Sequence, residues 1–430
     1  MADPRLAMAE GDMSTRQILG VALCVVLNAL DGFDVLAITF AAPSLAAEWR
    51  LAPHEIGLVI SIGLIAMAVG SLFLAPVADV NGRRKIILMC LVLMGAGMLL
   101  SATSASVWQM SLWRALTGIG IGGMLGAINA LASEYANKKR KALAVALMAM
   151  GYPLGGVLGG LAAAWLLDQF GWQAIFVAGG LTTLVLLPLM FVAIPESIEF
   201  LISRRPSNAL PRLNAILRKF RLTELPALPA SSASQSRLSD IFAGHMASKT
   251  ALVGISYFFH IMAFYYALGW IPSIVASLGY SSSIGATVSV WANLGGMIFC
   301  VLTGWLAFRL GLYRLTAAVM IATAVSLIAF GNANPGLGEL KLIAFLIGGF
   351  AFSGVSGLYA VLADTYPAQL RSTGTGFVIG LGRGGAALGP LVAGYMMSAG
   401  LPRGQVAAIM ALAALVAAAA MFKLMRLNRA

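Results

Sequence analysis

The chain has 430 residues, of which 60% are hydrophobic and only 10% are charged, and 48 are glycine. This composition excludes a soluble globular domain, in which apolar residues make up about half of the chain and charged residues about a quarter. The net charge of +12 does not indicate a nucleic-acid partner, because the basic residues are spread over loops and form no compact basic domain.

Apolar runs of about 20 residues, long enough to cross a bilayer, recur between short polar or Gly/Pro breaks. The twelve predicted spans cover residues 17–42, 55–78, 85–105, 108–135, 142–167, 172–194, 250–276, 282–307, 315–331, 340–363, 373–398 and 404–424. We predict an all-α membrane protein with two pseudo-symmetric six-helix bundles, at 1–194 and 250–430, joined by a linker at 195–249. In the linker, "NALPRLNAILRKF" spaces its apolar residues as an amphipathic surface helix does, and its expected role is that of a connector.

The positions of the basic residues predict the orientation of the chain. Arg50, Lys341 and Arg403 fall on one side of the spans, and Arg114 and Arg383 fall within them. All the other Lys and Arg residues lie on the side of the termini and the linker, which the positive-inside rule assigns to the cytoplasm. We therefore expect a multi-pass protein of the inner (plasma) membrane.

No enzyme signature is present in the sequence. It has no phosphate-binding "GxxxxGK[ST]" loop, and its Ser, His and Asp residues form no set at one predicted depth. The three cysteines fall in spans without metal-like spacing. We expect neither an enzyme nor a bound cofactor or metal.

The first span contains two acidic residues in "LNALDGFDVLAITF", Asp31 and Asp34. Each costs on the order of 2.5 to 3.5 kcal/mol at the centre of a membrane helix. Their i, i+3 spacing places them on one face, and both mutual repulsion and burial favour binding of a proton. The pattern predicts proton carriers, and the alternative is a pair of salt bridges between helices.

The two halves of the chain are internally similar. A constant offset aligns "ADVNGRRK" with "AFRLGLYR", so that Gly82 matches Gly311 and Phe308 replaces Asp79. The same offset carries Asp31 onto His260. Such repeats predict a substrate site between the two halves, near the bilayer midplane.

Several motifs carry a family resemblance. "APVADVNGRRK" (75–85) resembles the signature loop of the major facilitator superfamily, with Ala75 in place of its usual first Gly. "RALTGIGIGG" (114–123) resembles the fourth-helix motif, and "PESIEFL" fits the end of the first half. Within the superfamily, "LDGFD", "YPAQLRSTGTG" and "GLGRGGAALGP" look most like the aromatic acid:proton symporters, although sialate and other organic-acid carriers share parts of the pattern.

The resemblance implies a cytoplasmic gate made of Asp79, Gly82, Arg83, Arg84 and Lys85, with Glu134 as the candidate partner of its arginines. Asp79 would face the N-terminal end of a second-half helix, where the helix dipole favours an anion, and Arg83 or Arg84 would pair with Glu134. These contacts would hold the gate shut and break as the halves move. Positive-inside topology alone would explain the basic residues but not the Asp and Gly at their spacing.

Two arginines inside the spans are the candidate anion ligands. Arg383 is flanked by glycines, and its planar guanidinium matches a carboxylate with two hydrogen bonds. It is the main candidate for holding a substrate carboxylate, and the alternative is an ion pair with an Asp of span one. Arg114 is expected to neutralise Asp31 or Asp34 and so to take part in proton coupling.

The stretch "YFFHIMAFYY" in span seven supplies further candidates. His260 is either a packing residue or a ligand or proton contact. The aromatic side chains could wall a flat ring or belong to an interfacial belt. The predicted substrate contacts beside Arg383 are Asp34, His260, Tyr266 and Phe33.

These features predict a monomeric secondary transporter that imports a small aromatic carboxylate together with protons by alternating access. Within the same class, the alternatives are a symporter of another organic acid and a proton-driven exporter. The exporter has weak support from "GYPLGGVLGG" (151–160), which is close to the fifth-helix motif of drug:proton antiporters but has Gly156 in place of Pro. A non-transporting receptor is the alternative from another class.

Overall fold

The computed structural model describes residues 3–220, 222–229, 238–332, 336–367 and 370–428, and every regular element in these ranges is helical. The first half contains α1 Pro4–Glu10, α2 Thr15–Trp49, α3 Pro53–Asn81, α4 Arg83–Ala102, α5 Val107–Tyr135, α6 Lys141–Phe170 and α7 Gln173–Ala193. The linker contains α8 Ile198–Arg204, α9 Ala209–Lys219 and a 3-10 turn at Leu238–Phe242. The second half contains α10 His245–Ser277, α11 Ser282–Leu310, α12 Leu312–Asn332, α13 Leu337–Thr365, α14 Arg371–Ser398 and α15 Arg403–Leu427.

Twelve of the helices in these described ranges are long and apolar enough to cross a membrane. The prediction of an all-helical protein with twelve spans is confirmed, and the chain is a multi-pass membrane protein. Several helices are longer than predicted: α2 has 35 residues, or about 50 Å at 1.5 Å per residue, and extends beyond a hydrocarbon core of about 30 Å.

Glycines bring the helices of each half into close contact, in a pattern that the two halves share. In the first half a Cβ on Gly155 of α6 would strike the backbone of Ala29 on α2, and in the second half one on Gly385 of α14 would strike Phe258 on α10. In membranes, where lipid is as apolar as the side chains, helices associate through such close backbone approach.

The two halves meet at the end of the bundle distant from the linker. We call this end the opposite face, and the end with the linker and both described termini the linker face. At the opposite face Gly57 of α3 lies against Gly394 of α14, and the main-chain N–H of His54 donates to Ser398 Oγ at 2.9 Å. Towards the linker face, a Cβ on Gly376 or Gly380 of α14 would meet only open space. The contact between the halves that these residues make therefore lies at the opposite face.

The linker helix α9 is amphipathic, and its apolar side is buried against the first half. Leu213 and Leu217 are fully buried, and the ring of Phe220 packs edge-on against Tyr135 at 5.7 Å between centroids. The helix lies at the surface of the protein, as predicted, with its apolar residues against the first half and the basic residues of its last turn exposed.

The glycine contacts give a stability prediction with a control on the same helix. In Gly295→Ala the new methyl group would strike the backbone of Phe345, whereas in Gly304→Ala it would enter open space. We expect the first substitution to destabilise by about 1 to 3 kcal/mol through overpacking, and the second to be neutral or slightly stabilising. Thermal unfolding of the two variants in detergent tests this expectation. An equal loss of stability in both variants would contradict the assigned contact between α11 and α13.

Candidate functional site

Two buried carboxylates form the centre of the site. Asp31 and Asp34 lie one turn apart on α2, with 1% and 0% of the residue exposed. Within the part of the chain that the structure describes, no carboxylate oxygen of either residue has a hydrogen-bond partner. Because an ionised carboxylate without partners is costly in an apolar interior, a proton, water or a nearby cation must compensate its charge.

Arg114 supplies one cation from within the first half. Its guanidinium is buried on α5, where Nη2 donates to the main-chain carbonyl of Asp34 at 2.7 Å and Nη1 lies 3.3 Å from Met98 Sδ. Its charge also acts on the Asp34 carboxylate. The geometry therefore favours Asp34 over Asp31 as the carboxylate that Arg114 compensates.

Arg383 supplies the second cation from the other half. It is half-buried on α14, and its charge acts on Asp31 and on the phenol groups of Tyr152, Tyr257 and Tyr265. Across the described ranges the Arg383 guanidinium makes no hydrogen bond or ion pair. Its donors are consequently free for an anion that enters the cleft.

Aromatic rings from both halves surround this arginine. Tyr152 of α6 packs against Phe352 of α13 at 6.3 Å between centroids, and Phe352 meets Phe264 of α10 edge-on at 4.8 Å. Tyr257 and Tyr359 bring their hydroxyl oxygens to 3.5 Å from each other. Such a wall of rings and phenol groups suits a flat, partly polar molecule.

A small cavity between the halves adjoins the buried charges. It is lined by Thr39 of α2, Arg114 of α5 and Tyr265 of α10, among other residues, and has space for about one water molecule. The tyrosine that faces the first half here is Tyr265. Its neighbour Tyr266, one of the predicted contacts, is 2% exposed and lies where α10 packs against Gly389 of α14.

Two other predicted contacts are used in packing within a half. The Phe33 ring lies against Gly159 of α6 and Gly179 of α7, inside the first half. His260 is fully buried, and its Nε2 lies 2.9 Å from the carbonyl oxygen of Ala351 on α13, which can only accept a hydrogen bond. Of the alternatives for His260, this position favours the packing role.

The predicted gate residues meet around a carboxylate that was not among the site candidates. Glu196 is 5% exposed, and its Oε1 accepts hydrogen bonds from the main-chain N–H groups of Arg84 at 3.1 Å and Ser197 at 3.0 Å. It thereby occupies the N-terminus of α4, where backbone donors and the helix dipole favour an anion. Gly82 has φ +102°, and a Cβ there would strike the same carboxylate.

Arg83, and not Arg84, pairs with Glu134, whose other oxygen accepts from Ser197 Oγ at 2.7 Å. This ion pair joins α4 and α5 within the first half, and the expectation that it breaks as the halves move stays a prediction. The Asp79 side chain is 63% exposed and lies 3.4 Å from Arg83 Nη2. Among the described residues, the Asp79 carboxylate contacts Arg83 and not a second-half helix.

The sequence reasoning did not place Tyr152, Tyr359 or Glu196 in the site. Tyr152 stands in "GYPLGG", a stretch that resembles only an exporter motif in sequence. Tyr359 lies in "SGLYAVLAD", which has no distinctive pattern. Glu196 carried a usable signal, because it is an acidic residue that directly follows a span.

Two six-helix halves that share a pattern of glycine contacts, with buried charges between them, are typical of secondary transporters built from internal repeats. The family model of the Major Facilitator Superfamily matches residues 23–356. The chain belongs to the Major Facilitator Superfamily, as its motifs predicted, and it is a transporter and not an enzyme.

Relatives along nearly the whole chain are transporters named for aromatic acids. A gallate transporter of Pseudomonas putida is 30% identical, over 90% of this chain and 86% of its own length. A 4-hydroxybenzoate transporter of Pseudomonas aeruginosa is 31% identical, over 93% of this chain and 90% of its own. A 3-(3-hydroxy-phenyl)propionate transporter of Escherichia coli is 31% identical, over 96% and 95%.

The fold is also similar to a solved structure. A bacterial homolog of the human lysosomal transporter Spinster, in an inward-facing and unoccupied conformation, aligns with a TM-score of 0.70 at 17% identity, covering 97% of this chain and 98% of that one. At this identity the likeness concerns the fold alone.

The closed opposite face gives a prediction about motion. His54 and Ser398 belong to different halves and are in hydrogen-bond contact there. In the double variant His54→Cys/Ser398→Cys, we expect an oxidant to form a disulfide, to prevent opening at this face and to stop transport, with recovery after reduction. Uptake before oxidation, after oxidation and after reduction is the measurement, with each single variant as a control. Full uptake by the cross-linked protein would show that this face does not open.

Proposed function

We propose that the protein imports small aromatic carboxylates together with protons by alternating access. The observation that carries this proposal is the pair of buried carboxylates on α2, whose oxygens have no hydrogen-bond partner in the described ranges. Arg383, which makes no ion pair in those ranges, acts on Asp31 from the other half. The names of the relatives support an aromatic acid as substrate. The positions of the basic residues support a cytoplasmic linker face in the inner membrane. In this proposal the monomer is the transporting unit.

In this proposal Arg383 holds the substrate carboxylate through its two-pronged guanidinium, and the rings of Tyr152 and Phe352 flank the aromatic ring. The charge of Arg383 acts on the phenol group of Tyr257, whose hydroxyl oxygen lies 3.5 Å from that of Tyr359. They would donate to or accept from ring hydroxyls, and so favour hydroxylated aromatic acids over benzoate.

Charge balance supplies the coupling. Asp31 and Asp34 against Arg114 and Arg383 give a site that is roughly neutral when empty. A bound monoanion leaves one uncompensated negative charge, and a proton on one of the carboxylates restores neutrality. Because an unbalanced charge is costly in an apolar site, only the empty and the doubly loaded protein would change between faces.

Uptake into right-side-out vesicles under an imposed pH gradient tests this function. Symport predicts accumulation of a labelled hydroxybenzoate when the outside is acidic, export predicts its loss, and a receptor predicts neither. A thermal-shift panel of benzoate, hydroxybenzoates and aliphatic acids on the purified protein then tests the substrate class. Equal stabilisation by aliphatic acids would contradict the role of the aromatic wall.

The carboxylates give a second test. Asp31→Asn and Asp34→Asn keep the side-chain shape but cannot exchange a proton, so each should reduce pH-driven accumulation to background while the protein remains folded in the membrane. Asp168→Asn, at the exposed end of α6, is the matched control and should transport normally. If both Asp31→Asn and Asp34→Asn accumulated substrate fully, neither carboxylate would be the proton carrier.

Arg383 gives the sharpest test of the substrate class. Arg383→Lys keeps the positive charge but loses the planar guanidinium that can donate two parallel hydrogen bonds. The affinity for the acid should therefore fall, and discrimination between carboxylates should weaken. Arg383→Ala leaves the buried substrate anion without its partner. The binding free energy of the acid should weaken by about 2 to 5 kcal/mol, which would nearly abolish acid binding. The corresponding amides should respond much less to either change.

The measurement is a titration of acid and amide against wild type and both variants at fixed pH. Arg371→Ala, at the exposed start of the same helix, is the control and should bind the acid normally. Equal losses of acid and amide binding would show that Arg383 supports helix packing and that the carboxylate is held elsewhere.

A further inference from the structure

A second cavity lies at the linker face, outside the cleft between the halves. It has a volume of about 380 Å³ and is bounded by the end of α3, the start of α4 and the linker helices α8 and α9. Lys85 and Arg212 contribute cations to its wall, and Val80, Met89 and Phe200 contribute apolar surface. The proposed transport cycle uses none of these five residues.

The cavity has an excess of positive charge. Lys85 is exposed at the first turn of α4, and it has no ion-pair or hydrogen-bond partner in the described ranges. Arg212 Nη2 lies 3.6 Å from Glu196 Oε2, which is longer than a hydrogen bond, so its donors are largely available. Glu196, the nearby acid, is already engaged at the N-terminus of α4.

An apolar surface continues from the cations towards the membrane interior. Met89 and Val92 follow Lys85 at i+4 and i+7, on the same side of α4, and are 39% and 48% exposed. A ligand bound at Lys85 would thus have a polar end at the bundle terminus and an apolar part along a membrane helix. This combination fits a phosphate group that carries acyl chains and fits a free phosphate poorly.

We propose that this cavity binds an anionic phospholipid, with its phosphate between Lys85 and Arg212 and an acyl chain along Met89 and Val92. Binding draws Arg212 away from Glu196, the carboxylate that contacts Gly82 and caps α4. The bound lipid therefore adjusts the network at the linker face, and the transport rate should rise or fall with the anionic lipid content of the membrane. The binding itself is independent of which substrate is carried.

The test uses the full-length purified protein, phosphatidylglycerol and phosphatidylcholine, with bound lipid counted by native mass spectrometry. Wild type should retain one phosphatidylglycerol in preference to phosphatidylcholine, and Lys85→Gln/Arg212→Gln should weaken this preference on the order of tenfold. Lys219→Gln/Lys139→Gln removes the same charge from exposed sites on the same face and should keep the preference. Lys85→Arg/Arg212→Lys should also keep it.

Two outcomes would overturn the proposal. If Lys85→Gln/Arg212→Gln, shown to be folded by its thermal unfolding, keeps the wild-type preference, the lipid binds elsewhere. If excess inorganic phosphate or glycerol phosphate displaces phosphatidylglycerol from wild type, the cavity is a site for a soluble anion. Failure of uptake in the vesicle experiment would leave the lipid count unchanged, so the two proposals can fail separately.

Discussion

The burial of two carboxylates on one turn of α2 is the constraint on which the site depends. Neither Asp31 nor Asp34 has a hydrogen-bond partner in the described part of the protein, and each is costly there when ionised. Arg114 acts on Asp34 from the same half and Arg383 acts on Asp31 from the other, so the balance of charge depends on both halves. An anion or a proton entering the cleft necessarily changes that balance, which links binding to the arrangement of the halves.

Glycine makes two kinds of helix contact in this fold, and their difference bears on motion. Within a half, backbones interlock along the helices, as at Gly155 against Ala29, and each half can move as a unit. Between the halves, the contact of Gly57 with Gly394 lies at the opposite face, next to the exposed contacts of the His54 main-chain N–H and ring Nδ1 with Ser398 Oγ. A rigid-body movement that opens this face would break few polar contacts, which suits a protein with two arrangements of similar free energy.

The sequence predicted the twelve spans and the family because both depend on local properties, namely length, apolar composition and short motifs. Side-chain direction within the spans was less predictable. In "YFFHIMAFYY" aromatic residues occupy every side of the helix, so hydrophobic periodicity cannot select Tyr265 over Tyr266. Phe33 illustrates the same limit, because its direction is fixed by space at Gly159 and Gly179, which are distant in sequence. The predicted spans were also shorter than the helices, because a helix can continue beyond the bilayer with polar and charged residues.

The gate shows which contacts must change between the two arrangements. The contacts of Arg83 with Glu134, and of Glu196 with the start of α4, join parts of the first half only. Because these contacts lie within one half, they need not depend on whether the linker face is open or closed. Asp79 differs, because its carboxylate is exposed at the same corner and only its main-chain oxygen accepts a hydrogen bond from the linker, from Arg204. The Arg83 and Glu196 contacts therefore fix the chain around Asp79 within the first half, and the contact of Asp79 with a second-half helix stays a prediction.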